Sequence, residues 1–230
     1  MLNQRLGHHF FVNSMYLPTH FEGDRAQAAT LMREHSFASL VSVDDAGLPF
    51  ITHLPLHLEK EGGEAPAQQA LILLGHVAKA NPHWRYLRSR PQAVVTFLGP
   101  HAYLSPRVYP DLARVPTWNY LAVHCTVQAT LLEDEADKDR LLKKLIGDHE
   151  PAYADQWQGM DDGFARKMLA GIVAFELRVT DLQCKLKLNQ HRPEAVLPMQ
   201  AIYENGSDAE QALGRWMQRV AVDALNNREA

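Results

Sequence analysis

The chain has 230 residues, of which 46% are apolar and 22% charged. These are ordinary values for one large globular domain that buries a sizeable core without a disulfide or metal staple. They exclude intrinsic disorder, a collagen-like repeat and a disulfide scaffold. With 23 basic and 27 acidic side chains there is no general signature of a nucleic-acid surface.

Residues 1–14 read as an N-terminal extension, because the short Phe10-Phe11-Val12 cluster lacks the apolar length and cleavage site of a secretory leader. Thr19-x-x-Glu22 has the form of a capping box and predicts a helix with Ala28, Leu31 and Met32 inward. Phe37–Val43 is rich in strand formers and ends in the turn Asp44-Asp45-Ala46-Gly47. Leu48–Leu58 continues as a second strand, followed by an exposed loop over Glu59–Gln69. Ala70–Val77 and Ala93–Leu98 are apolar strands, and a short helix from Pro82 to about Arg88 separates them. No apolar run approaches the ~18 residues that span a bilayer, so the chain reads as soluble.

Thr117–Leu132 forms one long alternating strand. Asp137–His149 is an amphipathic helix with Leu141, Leu142, Leu145 and Ile146 inward. His149–Gly171 offers two short helices, the second over Asp162–Ala170 behind a cap at Asp161-Asp162. Ile172–Val179 and Leu182–Leu188 are strands, and Ser207-x-x-Glu210 caps a last helix carrying Leu213, Trp216, Met217, Val220 and Leu225. About seven strands with few βαβ alternations argue for an α+β, predominantly antiparallel barrel decorated with helices.

Several constellations carry chemistry. The segment Ala65–Pro110 has no Asp or Glu but holds Lys79, Arg85, Arg88, Arg90 and Arg107, a local charge of +5 that suits a specific anion site. Within it, Gly75 ends a strand where another group can approach the backbone. Asn81 then caps a helix opened by Pro82, with Lys79 beside free amides that fit a phosphate, or else a plain capped surface helix. Val115-Pro116-Thr117-Trp118-Asn119-Tyr120, Ser105-Pro106-Arg107-Val108-Tyr109 and Lys185-x-Lys187-x-Asn189-Gln190-x-Arg192 add aromatic surface, amides and cations. Such a set suits a flat, phosphorylated heteroaromatic ligand, although Trp118 and Tyr120 also read as core. The twelve His give no metal spacing: His53 and His57 lie on a strand around Pro55, roughly 13 Å apart, and no metal site is expected. Cys125 and Cys184 have no CxxC partner and read as reduced, buried thiols of a cytoplasmic protein. Rossmann, P-loop and GxSxG motifs are absent.

The same residues resemble the PaiB-type family of FMN-binding transcriptional regulators. The likeness runs from Met15 to about Pro198 through Met15-Tyr16-Leu17-Pro18-x-His20-Phe21, Thr52-His53-Leu54-Pro55-Leu56, Gly75-His76-Val77-Ala78-x-Ala80-Asn81-Pro82-x-Trp84, Ser105-Pro106-x-x-Tyr109 and Val115–Tyr120. It implies a split-barrel flavin-binding domain over residues 15–198, related to pyridoxamine-phosphate oxidases, with a packed helical tail over 199–230. It also implies a homodimer with FMN at the subunit interface. In this reading Asn81 with His76 and Lys79, or Lys187 with Arg192, hold the FMN phosphate. Thr52 and His53 bond the ribityl chain or ring edge, and Thr117, Trp118 and Asn119 pack against or bond the isoalloxazine. The family's closing Lys-x-Ser-Gln-Asn-Arg stands here as Lys187-Leu188-Asn189-Gln190-His191-Arg192, matching at Lys187, Gln190 and Arg192 and departing at Asn189 and His191.

The implied function is a negative regulator whose state depends on FMN and which contacts DNA through cations such as Arg85, Arg88 and Arg90. The alternative is a flavin-dependent oxidoreductase or flavin reductase using NAD(P)H, since the barrel supports hydride chemistry supplied by the cofactor. A haem-handling variant rests only on the His count.

Overall fold

Asp44 turns the chain back on itself at the first hairpin: its Oδ1 accepts the amides of Ala46 at 2.8 Å and Leu48 at 2.9 Å. Gly47 takes the positive φ of +80° that closes the turn. The computed structural model describes residues 15–61, 70–111 and 113–229. The 1–14 extension, the 62–69 part of the expected loop and the Leu225 side chain lie outside the described residues. Strands β1 (Phe37–Val43), β2 (Pro49–Pro55), β3 (His57–Glu61), β4 (Ala70–Ala78), β5 (Gln92–Leu104), β6 (Thr117–Leu132) and β7 (Ile172–Lys187) form one sheet. Its order is β2-β1-β5-β6-β7-β4-β3, and every pairing is antiparallel.

The single strand expected over Leu48–Leu58 is broken. Buried Leu56 separates β2 from β3, and its amide bonds the Ser36 carbonyl at 3.0 Å instead of a ladder partner. Because β2 and β3 are the two outer strands of the sheet, this one residue draws opposite edges together, and β2 also touches β4. The sheet therefore wraps into a split barrel. Gly75 shows why closure works. The strand does not end there but continues to Ala78, and the group that approaches its backbone is Leu56. A Cβ at position 75 would lie 2.5 Å from Leu56 Cδ2 and 3.3 Å from Phe175 Cε2, so any side chain there would have to displace Leu56.

The two strands expected at 172–188 are one. β7 bulges at Thr180, where the register passes from Thr126↔Asp181 to Val127↔Val179 and Thr180 Oγ1 donates to the Thr126 carbonyl at 3.1 Å. β5 likewise exceeds its expected length and shifts register between Leu98 and His101. Leu31, Met32, Leu40, Phe97, Leu121, Val123 and Phe175 fill the interior at 1% exposure or less. Each such side chain contributes about 1.5–3 kcal/mol of burial. Cys125 and Cys184 are free and buried in this core, where desolvation pushes both thiols up, that of Cys184 to about 12.

The helices are α1 (Arg25–Glu34), α2 (His83–Ser89), α3 (Glu135–His149), α4 (Ala154–Gln158), α5 (Asp162–Ala170), α6 (Pro193–Glu204) and α7 (Asp208–Glu229). The capping box of α1 is Asp24 with Gln27, not Thr19 with Glu22; Thr19–Phe21 is a separate 3-10 turn. At α5 Asp161 receives the Phe164 amide at 2.9 Å, and at α7 the Ser207–Glu210 box forms as expected. Helix α6, which the sequence pattern does not announce, runs across residue 198. With α7 it packs Ala195, Met199, Tyr203, Leu213 and Trp216 into the main core. Helix α3 covers β4 and β7 through Leu141 and Leu145 on Ile72, Leu74 and Ala174. It is fastened to β3 by His57–Asp148 at 2.7 Å and by Lys144–Glu59. No helix among the described residues is long and apolar enough to cross a membrane.

Candidate cofactor site

The expected site residues fall into two groups. The first is a corner where β2 meets the start of α2. Asn81 Oδ1 accepts the His83 amide at 3.0 Å, and Asn81 Nδ2 donates to Thr52 Oγ1 at 3.2 Å. His83 Nδ1 lies 2.8 Å from the same hydroxyl oxygen, and its ring meets Phe50 edge-on. His83 is fully buried, which lowers its pKa to about 4 and keeps the imidazole neutral. His83 is not among the expected cofactor residues, because its partner Thr52 lies 31 residues earlier; its only local signal is the Asn-Pro-His run.

Asn81 thus binds the helix start and Thr52 together, and α2 is only seven residues long. Lys79 is exposed, its backbone tied to the Gly171 carbonyl and the Trp84 indole. His76 on β4 is half-buried, its enclosed Nδ1 has no partner among the described residues, and burial lowers its pKa. His53 is exposed on the other face of β2 from Thr52 and pairs with Ser39 Oγ at 2.9 Å.

The second group lines a cleft of about 410 Å³ that includes Tyr109, Arg114, Thr117, Lys187, Asn189 and Arg192. Lys187 Nζ donates to Thr117 Oγ1 at 2.6 Å and to the Trp118 carbonyl at 2.7 Å. Burial and the neighbouring Lys185 lower its pKa. Asn189 adopts φ +61°, a conformation that Asn tolerates better than most residues, and its Oδ1 accepts the Tyr109 hydroxyl at 3.1 Å. Gln190 is spent on the chain: it receives the Leu188 amide and donates to the Leu186 carbonyl, which fixes the turn that aims Lys187 and Arg192. His191, the other family departure, packs against His20 and Phe21.

Asn119 does not join this group. Strand alternation sends it into the core, where Nδ2 donates to Tyr203 Oη at 2.9 Å and contacts Met199 Sδ. Trp118 points the other way, 52% exposed and edge-on to Tyr103. It belongs to an outer sheet face that leaves Phe37, Ile51, Leu98 and Tyr103 exposed as well.

The acid-free sequence segment does not remain a free cationic face. Arg88 pairs with Glu133 at 2.7 Å and Arg90 with Asp45 at 2.8 Å, while Arg85 and Arg88 lie over the Trp84 ring.

Two donors in the cleft, Arg114 Nε and Asn189 Nδ2, are buried without a partner among the described residues, although the Arg114 guanidinium also reaches Asp111 at 3.3 Å and Glu194 at 3.9 Å. With Lys187 and Arg192 they form a donor set suited to an anion such as a phosphate, and exposed Trp118 and Tyr103 offer flat aromatic surface. The residues present fit a phosphorylated aromatic cofactor.

Comparison with known proteins agrees. A family model described as "Putative FMN-binding domain" matches residues 15–181. Over 186 residues the chain is 34% identical to the protease synthase and sporulation protein PAI 2 of Bacillus subtilis, covering 78% of this chain and 84% of that one. Among solved structures, the conserved hypothetical protein Rv2991 of Mycobacterium tuberculosis superposes with a TM-score of 0.55 at 11% identity, covering 78% and 94% of the two chains. The flavocytochrome Anf3 of Azotobacter vinelandii gives 0.54 at 18% identity over 71% and 67%. The chain belongs to the PaiB-type family of FMN-binding proteins, and its cofactor is FMN.

Proposed function

We propose that this protein is a homodimeric, cytoplasmic negative transcriptional regulator of PaiB type, with FMN held between two protomers. The observation that carries the reading is the outer sheet face: Phe37, Ile51, Leu98, Tyr103 and Trp118 are exposed together beside the cationic cleft. An outer face carrying this many exposed large apolar side chains suits an interaction surface. A second copy laid on it covers the patch and brings one protomer's corner toward the partner's cleft.

In this arrangement Thr52, His76, Lys79 and Asn81 of one protomer bind one end of FMN, and His53, on the opposite face of β2 with Ile51, faces the second copy. Thr117, Trp118, Lys187 and Arg192 of the other supply ring packing and fixed positive charge. Bound FMN contributes a reducible ring. Asn119 and Gln190 act indirectly, the first by anchoring α6 and the second by holding the turn before it. The regulatory part rests on relatedness to the Bacillus protein named as a protease synthase and sporulation protein.

Sedimentation velocity with detection at the flavin band tests the assembly. Wild type is expected to run as a yellow dimer, and Ile51→Asp with Leu98→Asp as a colourless monomer; a monomer that keeps full FMN affinity rejects the shared site. A salt-dependent gel shift on DNA upstream of the protein's own gene tests the regulatory role, and absence of any shift at low salt overturns it. Steady NAD(P)H oxidation by the holoprotein would favour the oxidoreductase reading instead.

A further inference from the structure

The corner at Thr52 decides the direction of one hydroxyl proton. A threonine oxygen has two lone pairs to accept with and one proton to give. Asn81 Nδ2 donates into Thr52 Oγ1 at 3.2 Å, and His83 Nδ1 stands 2.8 Å from it. The opposite nitrogen, His83 Nε2, is buried and has no partner among the described residues. A proton on Nε2 would leave a buried N–H unsatisfied, the costlier kind of orphan. On Nδ1 the same proton is used in the bond to Thr52. Because burial keeps the ring neutral, only one of the two nitrogens carries a proton.

We propose that His83 is a positioning residue: its Nδ1–H and the Asn81 amide fill both lone pairs of Thr52 Oγ1, which makes the Thr52 hydroxyl an obligate hydrogen-bond donor to an acceptor atom of FMN. This rests on the reading that the corner belongs to the FMN site. Thr52 itself is only half-buried, and with both lone pairs filled no described residue accepts its proton. The corner therefore selects a ligand atom that accepts, a phosphate oxygen or a ring carbonyl or nitrogen, and disfavours a donor in the same place.

Long-range 1H–15N spectra of the full-length apoprotein, labelled at histidine, read the tautomer directly. The Nδ1–H pattern is expected for His83, and an Nε2–H pattern overturns the proposal. Titration with FMN, followed by fluorescence quenching, gives the second readout. Thr52→Val should weaken binding by about 10-fold or more, the worth of a hydrogen bond to an acceptor that carries charge. Thr52→Ser, which keeps the donor, should stay within about 3-fold. His83→Leu should fall between them, with His83→Gln, which retains an N–H, recovering most of the loss. Riboflavin separates the acceptors: a Thr52→Val penalty that vanishes with riboflavin assigns the bond to the phosphate, and one that persists assigns it to the ring or ribityl chain. Wild-type affinity in Thr52→Val sinks the inference while FMN binding itself stands. Failure of the wild type to bind FMN sinks the cofactor reading instead, and the tautomer spectrum still decides the hydroxyl's direction.

Discussion

The two halves of the candidate site are built on opposite principles. The Thr52–Asn81–His83 corner holds neutral groups bonded to one another around a fully buried imidazole. The Lys187–Arg192 cleft is cationic, and its turn is ordered by Gln190, which clamps residues 186 and 188. In the corner, stability and ligand geometry are the same set of bonds, so damage to one damages the other. In the cleft they separate, because the cations can be removed while the turn persists.

The largest expected effect tests the neutrality of the corner. His83 titrates near 6.5 when unfolded and at about 4 when folded. Between those values the unfolded chain binds more protons, so stability is complete above pH 6.5 and falls as pH drops toward 4. The loss is about 3 kcal/mol at most for this shift, and His76, whose pKa is also lowered by burial, adds in the same direction. Urea titrations from pH 7 to pH 4 should show the slope, and His83→Phe should flatten it.

On the cleft side, Asn189→Val places a β-branched residue at φ +61°. It should cost about 1–3 kcal/mol, while Asn189→Gly costs less; equal melting temperatures would deny that the turn is strained. Lys187→Met sharpens the contrast further. FMN affinity should drop about 10-fold for the loss of one charge-assisted hydrogen bond, with little change in melting temperature. A large thermal loss would make the cleft as structural as the corner. Gln190→Ala removes two local hydrogen bonds and should cost about 1 kcal/mol, read by denaturant midpoint. The smallest effect belongs to the core: Cys125 and Cys184, buried and with raised thiol pKa values, should not react measurably with a thiol reagent until the protein unfolds.

Alternation and turn chemistry made much of the fold legible. The bounds of β1, β6 and α5 follow from strand formers closed by the Asp44 turn, from the Thr117 start and from the Asp161 cap. Elements failed to declare themselves where tertiary contacts overrule local pattern. The apolar run through Leu56 carries no sign of its break, because the break is set by the Ser36 carbonyl and the hole above Gly75. Helix α6 is masked by Pro193 and Pro198, which read as helix breakers although the first opens the helix.

For the site, residue type was legible and direction was not. Asn119 and Trp118 are neighbours with equal claims as ligand groups, yet the pleat buries one and exposes the other. Gln190 has the chemistry of a contact residue and uses it on its own turn. The Arg85–Arg90 charges were visible as a cluster, whereas their partners Asp45 and Glu133 come from distant strand ends.

The single-residue joint at Leu56 also bears on what the chain can tolerate. Side chains alternate on either side of it, so adding or deleting one residue there would turn one flanking strand over, exchanging its wet and dry sides. Point changes of size at position 56 are repairable by repacking, but a change of length would put Leu58 outside or Thr52 on the wrong wall. The joint also swings the sheet's two rims toward each other, sparing a barrel of this size a long bare ladder on which foreign strands could nucleate.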